Sequence, residues 1–112
     1  MTKDDLVYVG HMLDLARSAF HKVESRSRAD FEADENLPLA LTHLVQTIGE
    51  AARRVSAEFQ QRHPQIPWAK VIGMRHKVVH DYLEVDFDLV WDVVTLHLPP
   101  LIGDLEKLVG EP

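Results

Sequence analysis

The segment RHKVVHDY, residues 75–82, concentrates side chains that can bind and cleave a phosphodiester. Arg75 can hold two phosphate oxygens at once through its planar guanidinium group. His76 and His80 carry imidazole groups, and imidazole titrates near neutral pH and can act as a general acid or base. These residue types in one short segment predict phosphodiester cleavage.

Arg75 has an unexpected place in the helix that this segment predicts. A step of about 100° per residue puts it near the centre of an apolar side. That side consists of Trp68, Val71, Ile72, Val78 and Val79. Because an unpaired buried charge is costly, Arg75 must be paired, line a groove or lie at an interface, and a structural ion pair or a snorkelling side chain is the alternative. The apolar flank of Arg75 also needs burial, which predicts a homodimer.

His76 and His80 are expected one helical turn apart, roughly 100–140° around the same helix from Arg75. One straight helix would not aim Arg75 and His80 at the same atom, but a second copy across a dimer interface could complete the geometry. The same histidine pair could hold a metal ion, yet the glutamate of an HExxH motif is missing and no third ligand is evident. We therefore expect neither a metal nor a cofactor. The other histidines are scattered and fit surface or boundary positions: His11, His21, His43, His63 and His97.

A polar stripe precedes this segment, with His43, Thr47, Glu50 and Arg54 at spacings of four, three and four. Such a stripe is usually a solvated helix face. The alternative is that the Glu50 carboxylate orients an arginine or a histidine.

Apolar spacing predicts the helices that must position these groups. The first stripe covers residues 6–23, and Thr2 and Asp5 are spaced as in a capping box. The second covers residues 37–59, with Asn36 and Pro38 suited to a helix start, and is expected to end near Gln60.

The third stripe covers residues 68–79, after the rigid connection of Pro64 and Pro67. Asp86 or Asp88 can cap a fourth helix, which Pro99-Pro100 should kink. No segment alternates as a strand does. The sequence therefore predicts one all-α domain over residues 1–112, an up-down four-helix bundle with a kinked last helix.

Composition restricts the class of protein. The chain of 112 residues is 46% hydrophobic and 27% charged and has no cysteine, which excludes a disulfide scaffold, a thiolate zinc site and a thiol nucleophile. The N-terminus has the features of neither a signal peptide nor a membrane span, so a cytoplasmic protein is expected.

The net charge of −6 disfavours a generic nucleic-acid binder. It allows RNA to be held locally at one groove, and it would suit a basic protein partner.

The motif resembles that of a known family. The motif begins with an arginine, Arg75, followed directly by a polar residue, His76. A histidine, His80, comes after four intervening residues. Tyr82 adds a tyrosine two residues later. The strings IGEAARRVS, HPQIPWAKVIGMRHKVVHDY and VDFDLVWDVVTLHLPPL are similar to the same family across residues 40–102. The chain thus resembles the HepT-like toxins, which are HEPN-type ribonucleases.

This resemblance implies a dimeric helical bundle, with the motif lining a cleft, that cleaves RNA without a metal. Arg75 would orient and neutralise the phosphate, His80 would transfer the proton in an attack by the ribose 2′-OH, and His76 would help. Members often pair with an MNT-type nucleotidyltransferase antitoxin that attaches AMP to the motif tyrosine, which corresponds to Tyr82. The added bulk and charge would repel RNA.

The sequence departs from the family in two places. The N-terminal third matches only in helical periodicity, and Asp81 replaces a residue that is often small, adding negative charge beside the proposed RNA site. Tyr82 could also be an ordinary loop residue that anchors the fourth helix. Two alternative functions stay open: a non-catalytic module that docks a nucleotidyltransferase, and a module that binds a free nucleotide without cutting it.

Overall fold

The long helices pack around one apolar core in the computed structural model, which describes residues 3–81 and 84–110. The elements in chain order are α1 (Lys3–Val23), α2 (Arg28–Ala33), α3 (Asn36–Arg54), α4 (Ala57–Arg62), α5 (Trp68–Val78), β1 (Val79–Asp81), β2 (Glu84–Val85), α6 (Phe87–Asp92), a π-helical turn (Val93–His97) and α7 (Leu98–Val109). Helix α1 packs against α3 and α7, and α3 also packs against α5. The predicted all-helical fold is therefore confirmed. No helix among the described residues is both long and apolar enough to cross a membrane.

The last long helix is interrupted by the π-helical turn at Val93–His97, which Leu98, Pro99 and Pro100 follow. A proline has no backbone N–H, so these two residues cannot bond to the carbonyls of Thr95 and Leu96, four positions earlier. Both carbonyls lie in the π-helical turn, where the regular hydrogen-bond pattern has changed. The predicted kink is confirmed, and its physical cause is the proline pair.

The second predicted helix does not continue to Gln60, because α3 ends at Arg54 and Val55 has an extended backbone. Ser56 begins the separate helix α4, with its hydroxyl accepting a hydrogen bond from the N–H of Phe59 at 3.2 Å. The buried carboxylate of Asp5 accepts hydrogen bonds of 2.8 Å from both the N–H and the hydroxyl of Ser56. This contact holds the start of α1 against the α3–α4 junction. The proposed capping partner Thr2 lies outside the described residues.

A second short helix, α2, lies where the sequence predicted only a break. A capping box starts it: Ser27 accepts from the N–H of Asp30, and Asp30 accepts from the N–H of Ser27. Its Phe31 is buried and packs on the ring of Trp91, with centroids 5.1 Å apart. Asp86, the first of the two predicted caps, begins α6 by accepting from the N–H of Leu89 at 3.0 Å.

A small antiparallel hairpin, β1 and β2, follows α5 and was not predicted. The backbone turns from helical to extended at Val79, and the N–H of Asp86 donates to the carbonyl of Val78 at 2.7 Å. His80 therefore lies in β1, beyond the end of the helix. The prediction that His76 and His80 lie one turn apart on a single helix is wrong, and so is the angular offset of His80 from Arg75, whereas Arg75 and His76 are consecutive residues of α5.

Gly49 allows α3 and α5 to approach closely. A Cβ atom built at this position would lie 3.1 Å from the carbonyl oxygen of Val71 and 3.4 Å from that of Ile72. Both contacts are with the backbone of α5, which cannot rotate away as a side chain can. The approach brings the α5 residue Arg75 to the face of α3 that carries Glu50.

Replacing Gly49 with valine is expected to reduce the free energy of unfolding by about 2 kcal/mol or more, because overpacking forces backbone shifts. Urea denaturation followed by circular dichroism measures the change. Gly103→Val is the matched control: a Cβ at Gly103 in α7 meets nothing within 4 Å, so the change there should stay below about 0.5 kcal/mol. Equal stability of the two variants would contradict the close packing of α3 against α5.

Candidate active site

Arg75 and Glu50 form an ion pair between α5 and α3. Nη1 of Arg75 donates a hydrogen bond to Oε2 of Glu50. The side chains are 31% and 33% exposed, so the pair is open to solvent on one side. Arg75 on its apolar helix face thus has a partner and also faces solvent. Nothing in the part of the chain that the structure describes covers the guanidinium completely, so a phosphate can reach it.

Glu50 is surrounded by further arginines of α3. Nη2 of Arg53 lies 2.6 Å from Oε1 of Glu50, and Nε of Arg54 lies 3.7 Å from the same oxygen. With Arg75, three guanidinium groups therefore surround one carboxylate, which leaves an excess of two positive charges. The acidic chain is locally basic at this point, as local binding of a polyanion requires.

These neighbours keep Glu50 ionised. The hydrogen bond from Arg53 lowers the pKa of the Glu50 carboxyl, partial desolvation opposes this, and the positive charges of Arg53, Arg75 and Arg54 lower the pKa further. Because the pKa of Glu50 is lower in the folded protein, its carboxylate stabilises the fold at any pH above the ordinary glutamate pKa of about 4.3. This stabilisation is lost as the pH falls through the pKa that Glu50 has in the folded protein. The pair of Glu50 and Arg75 is therefore intact at neutral pH.

A groove of about 480 Å³ contains this pair, and we call it the motif groove. It is lined by His43, Gln46, Thr47, Glu50, Arg75, His76 and Val79. Three members of the predicted polar stripe on α3 thus face a groove shared with the motif. Gln46 was not predicted, although its position one turn before Glu50 on the same helix was a usable signal.

The structure places the remaining motif residues only in part. His76, an exposed residue of α5, lies in the motif groove with Arg75. His80 follows the groove residue Val79 by one position in β1, while its side chain lies outside what the structure describes. Tyr82 also lies outside the described residues. Among those that are described, no three histidine or carboxylate side chains cluster as metal ligands would.

A second groove, of about 530 Å³, lies between α1 and α3, and we call it the α1–α3 groove. Its lining consists of Tyr8, His11, Asp14, Leu15, Thr47, Glu50, Ala51 and Arg54. Thr47 and Glu50 line both grooves. Sequence reasoning missed this site, although Tyr8, His11 and Leu15 follow one another at helical spacing along α1.

The motif groove has the parts needed to bind a phosphodiester and move a proton: an oriented guanidinium, an imidazole and, at Glu50, two further arginines beside it. A family model described as Ribonuclease HepT-like matches residues 12–108 of the chain. The chain belongs to the HepT-like ribonuclease family. The motif around Arg75 and His80 falls inside the matched region.

Curated relatives of the HepT-like chain point to the same family. A candidate RNase of Caldanaerobacter subterraneus subsp. tengcongensis is 32% identical over 104 residues, which cover 93% of this chain and 89% of that protein. A candidate ribonuclease HepT of Thermococcus cleftensis is 37% identical over 79 residues, covering 70% of this chain and 72% of its own length. The comparison with solved structures found no significant match.

Proposed function

We propose that this HepT-like protein is a metal-independent endoribonuclease and the toxin of a toxin–antitoxin pair. One observation carries the proposal: Arg75, His76 and Glu50 share the motif groove, and Arg53 and Arg54 bring two further guanidinium groups to Glu50 in an otherwise acidic chain. We treat residues 1–112 as one catalytic domain. RNA would be bound locally at this groove, so the net charge of −6 is no obstacle.

In the proposed reaction Arg75 binds the non-bridging oxygens of the scissile phosphate and neutralises their developing charge. His80 takes the proton from the ribose 2′-OH, whose oxygen forms a new bond to phosphorus while the bond from phosphorus to the 5′ oxygen breaks. The leaving oxygen is protonated by an imidazolium or by water, with His76 as the helper. The products are a 2′,3′-cyclic phosphate end and a 5′-hydroxyl end, and no metal is needed to balance the reaction.

Glu50 acts as a positioning residue in this proposal. It holds the Arg75 guanidinium through Nη1, and the other N–H donors of Arg75 can bind a phosphate while this bond persists. Arg53 and Arg54 also contact the Glu50 carboxylate, so its charge stays compensated when RNA is bound.

A homodimer is part of the proposal, with one copy of the motif from each protomer in a shared cleft. The motif groove of a single chain is open to solvent, so a second copy of the motif can face it. Light scattering at micromolar concentration should give twice the mass of one chain. A monomer mass would contradict the shared cleft.

Regulation would act on Tyr82, two residues beyond His80. An MNT-type nucleotidyltransferase antitoxin would transfer AMP from ATP to the phenol oxygen and release pyrophosphate. The added phosphate would place negative charge beside the site and repel RNA. Mass spectrometry after co-expression should find AMP on Tyr82 of the parent and none on Tyr82→Phe. Modification elsewhere would contradict this assignment.

The experiment that tests the activity is cleavage of total RNA by the purified, unmodified protein in excess EDTA. Cleavage by the parent, and a rate at least about 10²-fold lower for His80→Ala prepared in the same way, is the expected result. The second candidate function is a non-catalytic module that docks the nucleotidyltransferase, which the ion pair of Arg75 and Glu50 would also allow. It predicts a stable complex with that partner and no RNA cleavage at any protein concentration.

A further inference from the structure

The α1–α3 groove continues the motif groove across α3. Thr47 and Glu50 line both, so a strand that leaves a phosphate site at Arg75 reaches the α1–α3 groove by crossing these two side chains. The two grooves therefore adjoin each other along these two side chains.

The lining of the α1–α3 groove suits a flat aromatic ligand. Tyr8 is half-buried on α1, and its ring meets the imidazole of His11 edge-on, with centroids 6.2 Å apart and planes at 77°. In an edge-on contact the imidazole covers at most one face of the Tyr8 ring. Leu15 and Ala51 add apolar surface, and the volume of about 530 Å³ is in the range of sites for small organic ligands.

Charge at the groove suits a ligand that carries phosphates. Arg54 lines the groove with a side chain that is 55% exposed, close to the Glu50 carboxylate that also contacts Arg75. A single strand that passes from Arg75 to Arg54 would meet a guanidinium group at each end of the crossing. Asp14, also in the lining, offers an acceptor for the exocyclic amino group of a base.

We propose that the α1–α3 groove binds one unstacked base of single-stranded RNA, next to the phosphate that Arg75 holds in the motif groove. Tyr8 provides the stacking surface, Arg54 the contact to the next phosphate, and Asp14 a contact to the base edge. Proteins generally bind single-stranded RNA in this way, with splayed bases on aromatic rings and phosphates on cations. The proposal rests on the ribonuclease function and makes unpaired RNA the preferred substrate.

The test measures binding of a fluorescent single-stranded RNA oligonucleotide by anisotropy, in a His80→Ala background so that the RNA stays intact. Tyr8→Ala should weaken binding on the order of tenfold, because one stacking surface is lost. Tyr8→Phe keeps the ring and should bind as the background does. An oligonucleotide that lacks the base at the stacked position should bind the His80→Ala protein weakly. Adding Tyr8→Ala should then weaken its binding little further, because in a double-mutant cycle two groups that contact each other have coupled effects.

Two further variants protect the test against folding artefacts. Arg54→Gln changes an exposed side chain and should weaken RNA binding. The slope of log affinity against log salt concentration should become smaller by about one, because one phosphate contact is lost. His21→Ala, an exposed position on α1 outside both grooves, should bind as the background does.

The outcomes separate this proposal from the ribonuclease function. If the parent cleaves RNA and both Tyr8→Ala and Arg54→Gln bind as tightly as the background, the base site is wrong while the ribonuclease function stands. A change of oligomeric mass in Tyr8→Ala would mean that a second copy of the chain covers the groove, which also overturns the proposal. A parent that neither binds nor cleaves RNA removes the ribonuclease function and this site with it.

Discussion

Replacing His80 with alanine is expected to lower the rate of RNA cleavage by about 10²- to 10⁴-fold, which is the usual contribution of a general acid or base. The substitution removes the imidazole and leaves the phosphate-binding charges around Glu50 in place. RNA affinity should therefore change much less than the rate. Initial rates on a defined single-stranded oligonucleotide in excess EDTA, with product ends identified by mass, measure both the loss and the cyclic phosphate.

The control for this prediction must also remove one imidazole. His21→Ala does so at an exposed position of α1, where the side chain contacts Glu24 and lies outside both grooves. Prepared by the same purification, it should cleave as fast as the parent. Equal rates for the parent, His21→Ala and His80→Ala would assign the cleavage to a contaminating nuclease or to another site. Circular dichroism should show unchanged helix content in both variants, since His80 follows the end of α5 at Val78 and alanine is well tolerated in α1 at position 21.

The long helices could be predicted from the sequence because their apolar residues recur with helical period. The last of them was predicted together with its kink, since a proline pair has a local effect that no packing can cancel. The break between α3 and α4 could not be predicted from that period. Val55 and Phe59 are both buried, so the apolar stripe continues through a backbone that has already left the helix.

Contacts between distant parts of the chain were out of reach of sequence reasoning. The bonds from Ser56 to Asp5 join residues 51 positions apart, and the pair of Arg75 and Glu50 joins residues 25 positions apart. The sequence indicated that Arg75 needs a partner, and Glu50 was one candidate. Whether Arg75 pairs with Glu50 depends on how closely α3 and α5 approach. This approach is close because Gly49 has no side chain.

The candidate site was predictable where its residues are consecutive and unpredictable where they are assembled by packing. The motif around Arg75 and His80 is continuous in the chain, so residue types alone indicated the chemistry. The α1–α3 groove combines Tyr8 and His11 with residues of α3. In the sequence, each of these two sets of residues has the pattern of an ordinary helix face. The hairpin was missed because strands of three and two residues are too short to show alternation.

Replacing Arg75 with alanine should reduce the rate of cleavage by about 10²- to 10³-fold, the effect of removing one donor that stabilises a developing oxyanion. Stability should fall little, because the pair is open to solvent and Glu50 keeps Arg53 as a partner. Arg75→Lys keeps the charge and loses the two-pronged geometry, so its rate should lie between those of the parent and Arg75→Ala. A structural role for Arg75 makes the opposite prediction: Arg75→Ala would unfold more easily and would cut RNA at the parental rate once folded.

Glu50→Gln separates positioning from simple attraction. The substitution removes one negative charge from the motif groove, so RNA should bind at least as tightly as it binds the parent. If Glu50 orients Arg75, kcat should nevertheless fall, by roughly tenfold, because the guanidinium is no longer held in its productive direction. If Glu50 only weakens RNA binding by its charge, KM should fall while kcat stays unchanged. A lower kcat with an unchanged or lower KM is therefore the result expected of a positioning residue, and an unchanged kcat would exclude that role for Glu50.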